Sequence, residues 1–173
     1  MHREQCDFCE RVRARYLSFF VNTRVLDCGS LNVNGTNQYL FAGGCYWGVD
    51  IAPGPNVDIV SKIHELPFRD GLFDVVISTE CLEHDLHWET SIRKMAALVR
   101  PDGLLLFTCA TTGRAEHGTV ATTAGDSPFT PDYYRNLTEK DVRYALDLER
   151  QFSTHLFEAN EAHHDLYFFG IKR

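Results

Sequence analysis

The sequence predicts an α/β fold with a doubly wound, mostly parallel sheet that ends in an antiparallel C-terminal hairpin. Three observations favour this fold. Several short segments are continuously apolar, as expected of strands that are covered on both faces of a sheet. Stretches with a helical 3.6-residue period separate some of these segments. Strands that alternate with helices imply right-handed crossovers and therefore a parallel sheet.

Seven segments are predicted to be strands. Five of them form the parallel part of the sheet: Arg24–Gly29, Tyr46–Asp50, Val57–Val60, Phe73–Ser78 and Leu104–Thr108. Two further runs, Thr154–Glu158 and Asp165–Ile171, flank a short polar turn and predict an antiparallel hairpin.

Helices are predicted between and before these strands. The clearest begins at Trp88, where apolar residues recur every three or four positions, and it ends before Pro101 and Gly103. An N-terminal helix is expected within residues 1–22, and another from Thr138 to about Arg150. No linker or repeat divides the chain, so residues 1–173 are predicted to form a single domain.

Composition restricts the class of protein. Of the 173 residues, 44% are hydrophobic and 24% are charged, which is typical of a globular domain. No apolar run is long enough to cross a bilayer and the N-terminus lacks a signal-peptide pattern, so we expect a cytoplasmic protein. The net charge of −7 argues against a long nucleic acid as partner.

The six cysteines are expected to be reduced. Cys6 and Cys9 form a CxxC pair, which can hold zinc, but no second pair of ligands follows at a suitable spacing. The same segment has a helical period, so a packed helix is the preferred interpretation.

The turn after the first strand has features of a nucleotide-cofactor site. Gly29 permits a tight turn after Asp27, although the GxGxxG pattern of dinucleotide sites is missing. Asp50 ends the second strand, where a carboxylate can accept hydrogen bonds from both ribose hydroxyls.

Four pieces in order carry a resemblance to a known family. They are Val25–Ser30, Gly48–Asp50, Leu66–His84 with its strand Phe73–Val76, and Leu98–Leu104. Across nearly its whole length the sequence resembles the class I S-adenosylmethionine-dependent methyltransferases. The resemblance implies a seven-stranded Rossmann-like sheet with an antiparallel last strand, and S-adenosyl-L-methionine as the cofactor.

The resemblance also implies which residues contact the cofactor. Around the methionine part it places Asp27, Gly29 and Ser30, and Asn32 or Asn34 supplies contacts that glycine backbone usually gives. At the ribose it places Asp50. Beside the adenine it places Ile51, Ile63 and His64. Near the sulfonium it places Thr79 and Glu80.

Two clusters are candidates for the acceptor side. His84, Asp85 and His87 follow the fourth strand, and residues 111–136 form a long polar segment that is predicted to be a substrate loop. His117 in this loop is a candidate general base. Four successive side chains are expected to shape the acceptor pocket: Tyr133, Tyr134, Arg135 and Asn136.

Several alternatives stay open. The preferred function is methyl transfer to a small polar acceptor, a hydroxyl of a sugar or natural product. Convergence of His84, Asp85, His87 and His117 on a divalent ion is a less favoured variant, and no metal is assigned. The other two functions are a cofactor-binding module without turnover and a nicotinamide-dependent oxidoreductase, which the missing GxGxxG disfavours.

Overall fold

The computed structural model describes residues 2–130 and 132–173. Met1 of the predicted helical segment 1–22 and Pro131 of the predicted loop 111–136 lie outside the described residues. The described residues form one seven-stranded sheet with α-helices packed on both faces. No helix in this part of the chain has the length and apolar character needed to cross a membrane.

The strand order confirms the predicted fold. The strands are β1 (Arg24–Cys28), β2 (Cys45–Asp50), β3 (Ile59–Val60), β4 (Phe73–Thr79), β5 (Val99–Ala110), β6 (Phe152–Asn160) and β7 (Asp165–Lys172). Their order across the sheet is β3-β2-β1-β4-β5-β7-β6. β1 to β5 pair in parallel, whereas β7 is antiparallel to both of its neighbours, β5 and β6. The order reverses between β1 and β4, which are adjacent.

Four α-helices cover the sheet: α1 (Arg3–Arg15), α2 (Trp88–Leu98), α3 (Glu139–Ala145) and α4 (Leu148–Gln151). α1 packs on one face through Phe8, Cys9 and Val12. α2 and α3 pack on the other face, where Met95 and Val142 are fully buried. Burial of Cys9 agrees with the packed-helix interpretation of the CxxC segment, and all six cysteines are free.

The N-terminal helix is shorter than the predicted segment 1–22. It ends at Arg15 because Tyr16 leaves the helical conformation, with φ −130° and ψ 49°, and a 3₁₀ helix follows over Leu17–Phe20. Because the helix breaks here, the side chains of Tyr16 and Phe20 can pack in positions that a continuous helix would not give them. Tyr16 lies 5.4 Å from the ring of Phe169, and Phe20 is completely buried.

The predicted helix from Thr138 to Arg150 is divided into α3 and α4. Thr138 and Asp141 form the capping box at the start of α3. The division falls at Leu146, which is extended, and Asp147 caps α4 by accepting a hydrogen bond from the Arg150 amide. Leu146 and Leu148 are both buried. Two residues that are two positions apart do not share a helix face, so burying both requires the break.

Asp74 joins three neighbouring strands at the amino end of the sheet. It accepts hydrogen bonds from the backbone nitrogen of Arg24 at 2.8 Å and from Arg100 Nε at 2.6 Å. Burial alone would raise its pKa, but the bonds from the two arginines outweigh burial and hold that pKa well below its usual value. This carboxylate is therefore fully paired and structural.

Candidate active site

A polar cavity of about 240 Å³ lies where the strand order reverses, beyond the carboxyl ends of β1 and β4. Parallel α/β sheets bind ligands at this position. Eight of the residues predicted for the site line it: Asp27, Gly29, Ser30, Asn34, Thr79, Glu80, His84 and His117.

Gly29 brings the two walls of the cavity together. Its φ of +79° lies in the left-handed region, and a Cβ atom there would lie 2.5 Å from Cys81 Cβ. The amides of Gly29 and Ser30 both donate to the carbonyl of Val49 on β2. The Ser30 hydroxyl donates to the carbonyl of Asn56 at 2.8 Å, so it holds the turn in place.

Asp27 is a buried carboxylate at the base of the cavity, only 1% exposed. Its two oxygens accept hydrogen bonds from Asn37 Nδ2, at 3.1 Å, and from the Tyr46 hydroxyl. Burial raises the pKa of Asp27 to about 6, against the opposing effect of these bonds. The group therefore changes charge close to neutral pH.

The residues predicted for the ribose and adenine lie beside the cavity, outside its lining. Asp50 ends β2 and accepts hydrogen bonds from the amides of Leu31, at 3.1 Å, and Ile51, at 2.7 Å. Burial raises the pKa of Asp50. Ile51 is 37% exposed. Leu31 lines the cavity, so the bond from its amide connects Asp50 directly to the cavity wall.

Ile63 and His64 lie on a 3₁₀ helix, Ile63–Glu65, that follows β3. Ile63 is buried in the core. The His64 ring lies 4.4 Å from the ring of His87. Neither Ile63 nor His64 reaches the lining of the cavity.

Glu80 stands at the carboxyl end of β4 in the left-handed region, with φ +52°. It accepts a hydrogen bond from the Thr108 hydroxyl at 2.8 Å, and His2 Nε2 lies 3.3 Å from its other oxygen. Burial would raise the pKa of Glu80, but the bond and charge of His2 outweigh burial and lower that pKa. His2 also lies 3.6 Å from Asp165, which pairs with Arg114 at 3.1 Å.

Thr79 precedes Glu80 and is held by Asn37. The Thr79 hydroxyl accepts a hydrogen bond from Asn37 Nδ2 at 3.0 Å. Because Asn37 also donates to Asp27, it links the ends of β1 and β4.

Two histidines face each other on the opposite wall. His84 follows β4 in the 3₁₀ helix Leu82–His84, and its ring centroid lies 5.0 Å from that of His117. Tyr134 contacts both rings. Burial and the nearby His117 lower the pKa of His84 to about 4, so this imidazole is neutral at pH 7.

Asp85, a predicted catalytic residue, lies outside the lining of the cavity. Its carboxylate accepts hydrogen bonds from the amide of His87, at 2.7 Å, and from the hydroxyl of Ser91 in α2. It thus satisfies groups at the N-terminus of α2 and does not line the cavity. The same turn directs His87 toward His64.

The predicted acceptor residues Tyr133 to Asn136 mainly hold the loop. The Tyr134 hydroxyl donates to Asn136 at 2.8 Å, and Asn136 donates to the carbonyl of Arg114 at 3.0 Å. Arg135 points to Asp141, at 2.6 Å, and lies over the Trp88 ring. None of the four, Tyr133 included, lines the cavity.

Sequence reasoning gave no individual role to several residues that line the cavity or lie behind it: His2, Asn37, Glu83, Arg114 and Asp126. Glu83 is completely buried, and its Oε2 atom has no hydrogen-bond partner. Burial raises its pKa far above the usual value. The position of Glu83 between His84 and the end of β4 was the available signal.

Comparison with known proteins agrees with this site. Residues 26–107 match a family model described as a methyltransferase domain. None of the curated proteins compared matches the chain.

Solved structures show the same fold at low identity. One is 1,6-didemethyltoxoflavin-N1-methyltransferase from Burkholderia thailandensis, solved with 1,6-didemethyltoxoflavin and S-adenosylhomocysteine bound. It has a TM-score of 0.67 and 18% identity to this chain, and the match covers 97% of this chain and 78% of the other. YcgJ from Bacillus subtilis has a TM-score of 0.64 and 14% identity, over 96% and 99%. Phosphoethanolamine N-methyltransferase 2 from Haemonchus contortus, with S-adenosyl-L-methionine, has a TM-score of 0.67 and 13% identity, over 96% and 52%.

The sheet order, the position of the cavity and the family match agree with the resemblance seen in the sequence. The methyltransferase-domain match covers just under half of the chain, and the solved structures share its fold.

Replacing Gly29 tests the close approach of the two cavity walls. Gly29→Ala adds a Cβ atom 2.5 Å from Cys81 Cβ in a left-handed conformation. We expect the free energy of unfolding in urea to fall by about 2 kcal/mol or more. Gly125→Ala is the control, since nothing lies within 4 Å of its new Cβ. Equal stability of the two variants would contradict the constraint.

Proposed function

We propose that the protein transfers the methyl group of S-adenosyl-L-methionine to a hydroxyl of a small polar acceptor, such as a sugar or a natural product. The observation that carries this proposal is the shared cavity. The residues expected near the sulfonium, Thr79 and Glu80, line the same cavity as His84 and His117. Methyl transfer needs mainly alignment of the acceptor with the methyl group, and one cavity with both sets of groups suits that requirement.

The cofactor extends beyond the cavity in this proposal. Ligand pockets usually measure about 300–1,000 Å³, and the cavity is smaller, about 240 Å³. The methionine part therefore lies inside, with its ammonium group near Asp27. The nucleoside passes Leu31 to reach Asp50, beside which Ile51, Ile63 and His64 contact the adenine.

His117 accepts the proton of the acceptor hydroxyl. Its Nδ1 atom lies 3.2 Å from the carbonyl of Ala115, which favours a proton on Nδ1 and a lone pair on Nε2. His117 lines the cavity and is half-buried, so a small acceptor can reach it. A positioned imidazole contributes to removal of a hydroxyl proton during transfer.

The acceptor atom is the least constrained part of the proposal. Two of the similar structures are named as N-methyltransferases and another as a carbon methyltransferase. The histidine pair and the polar lining favour an oxygen acceptor in this chain. A small acceptor is also consistent with the net charge of −7, which disfavours a long nucleic acid. Six free cysteines support a cytoplasmic location.

Calorimetric titration with S-adenosylmethionine, S-adenosylhomocysteine and NADH is the direct test of the cofactor site. We expect micromolar binding of the first two and none of NADH. Asp50→Ala is expected to abolish binding, because the ribose hydroxyls lose their acceptor. Asp70→Ala, an exposed aspartate just before β4, is the control. Unchanged affinity in Asp50→Ala would contradict the ribose contact.

Affinity for S-adenosylhomocysteine should depend on pH through Asp27. The pKa of Asp27 is raised to about 6, so its negative charge is present above that pH and is lost below it. The ammonium group of the ligand is attracted only by the ionised form. We expect the dissociation constant to rise as pH falls from 7 to 5, by up to about tenfold per unit.

Asp27→Asn should bind more weakly at pH 7.5 and lose most of this pH dependence. Asp70→Asn, the control, removes an exposed carboxylate outside the site and should keep the change near pH 6. The same pH profile in Asp27→Asn as in the wild type would rule out Asp27 as the titrating group.

The role of His117 can be tested once screening of sugars and natural-product alcohols gives an acceptor. Formation of S-adenosylhomocysteine by His117→Ala should fall by about 10²–10⁴-fold, while its affinity for S-adenosylhomocysteine stays the same. His155→Ala, on β6 at the far edge of the sheet, is the control. Full turnover by His117→Ala would show that the histidine is not the base.

A further inference from the structure

One carboxylate and two imidazoles converge at the wall of the cavity. Glu83, His84 and His117 each offer one ligand atom, and these three atoms lie within 4.8 Å of one another. Glu83 is fully buried and His84 is 5% exposed. Glu83 Oε2 and His84 Nδ1 are both buried and have no hydrogen-bond partner. Buried polar atoms are almost always paired, so two neighbouring exceptions require an explanation.

We propose that Glu83, His84 and His117 bind a divalent transition-metal ion, with the remaining coordination positions open to the cavity. Two imidazoles and one carboxylate are a ligand set that suits Zn²⁺, and also Fe²⁺ or Mn²⁺. Three protein ligands leave room for an oxygen from water or from the acceptor.

The atoms that would not bind the ion are held by the backbone. His117 Nδ1 lies 3.2 Å from the carbonyl of Ala115. A hydrogen bond with the backbone of Tyr133 engages the ring of His84, whose Nδ1 is unpartnered. Glu83 Oε1 accepts a hydrogen bond from the amide of Ala110 at 3.3 Å. Metal-binding residues are typically oriented by such outer hydrogen bonds, which fix the ligating lone pair.

A proton shared between Glu83 and His84 does not explain the arrangement. Such a proton would create a hydrogen bond between them, and neither orphaned atom has a partner. Bonds of about 2.0–2.1 Å would place tetrahedral ligands about 3.4 Å apart, and the three ligand atoms already lie within 4.8 Å of one another. His117, which is half-buried on the loop, is the member with room to move.

The backbone leaves space beside His84 at Gly118. A Cβ atom at Gly118 would lie 2.7 Å from His84 Cε1 and 3.3 Å from His84 Nδ1. Any side chain at position 118 would therefore press on the edge of the ring that carries the orphaned nitrogen.

A second group of three candidate ligands, His2, Glu80 and Asp165, fits an ion less well. Arg114 already provides a positive charge 3.1 Å from Asp165, and Glu80 is hydrogen-bonded to Thr108. These carboxylates are paired within the protein, whereas Oε2 of Glu83 has no partner.

The ion would act on the acceptor. Bound to an acceptor hydroxyl, a divalent ion lowers the pKa of that hydroxyl and orients its oxygen toward the methyl group. This consequence rests on the proposed function, but binding of the ion does not. In the ion-bound protein His117 is a ligand, so the base role belongs to the ion-free form.

The test is calorimetric titration of the metal-stripped full chain, with any polyhistidine tag removed, using Zn²⁺ and Co²⁺. We expect one ion per chain, and a visible Co²⁺ absorption band whose intensity reports the coordination geometry. Glu83→Gln and His117→Ala should each weaken binding by at least about tenfold. His117→Ala keeps the test decisive if Glu83→Gln fails to fold.

Glu80→Gln and His155→Ala are the controls and should bind the ion as the wild type does. Absence of binding would overturn the proposal. Binding that survives both Glu83→Gln and His117→Ala would also overturn it. Loss of binding in Glu80→Gln would overturn it as well, because the ion would then lie at the group of His2, Glu80 and Asp165. Affinity for S-adenosylhomocysteine is measured in parallel. Ion binding without binding of S-adenosylhomocysteine would support the metal site and contradict only the proposed function.

Discussion

The turn after β1 and the turn after β4 meet with no space for a Cβ atom between Gly29 and Cys81. The strand order makes β1 and β4 neighbours, and this contact sets how closely their carboxyl ends approach. Asn37 can therefore donate to both Asp27 and Thr79. A bulkier turn at Gly29 would move apart the two ends of the sheet that line the cavity.

The buried and half-buried carboxylates can be sorted by their partners. Asp74 accepts hydrogen bonds from Arg24 and Arg100. Asp85 accepts them from the amide of His87 and the hydroxyl of Ser91, at the start of α2. Both are satisfied by the protein and stabilise the fold. Asp27 is bonded yet keeps a raised pKa, and Glu83 keeps one oxygen without any partner. Buried carboxyl groups with raised pKa values or unpartnered oxygens are unfavourable for stability, so they are expected where a ligand contacts them.

Much of the fold and half of the site could be predicted from the sequence. Buried parallel strands are continuous apolar runs, and the family resemblance indicated Asp27 and Glu80 at the carboxyl ends of two of them. The direction of a loop side chain depends on distant contacts instead. Arg135 turns outward to Asp141, whereas Arg114 turns inward to Asp165, and no local pattern distinguishes them. His2 was missed because its partner, Glu80, is 78 positions away.

The boundary of the family match divides the residues that line the cavity. Residues 26–107 contain the turn after β1, the end of β4 and the segment with Glu83 and His84. Arg114 and His117, which line the opposite part, lie beyond it. In the proposed function, the matched part holds the cofactor and the loop beyond it faces the acceptor. A metal ion at Glu83, His84 and His117 would bridge that boundary. A loop that places His117 there allows the unpartnered carboxylate of Glu83, which is otherwise unfavourable for stability, to act as a metal ligand.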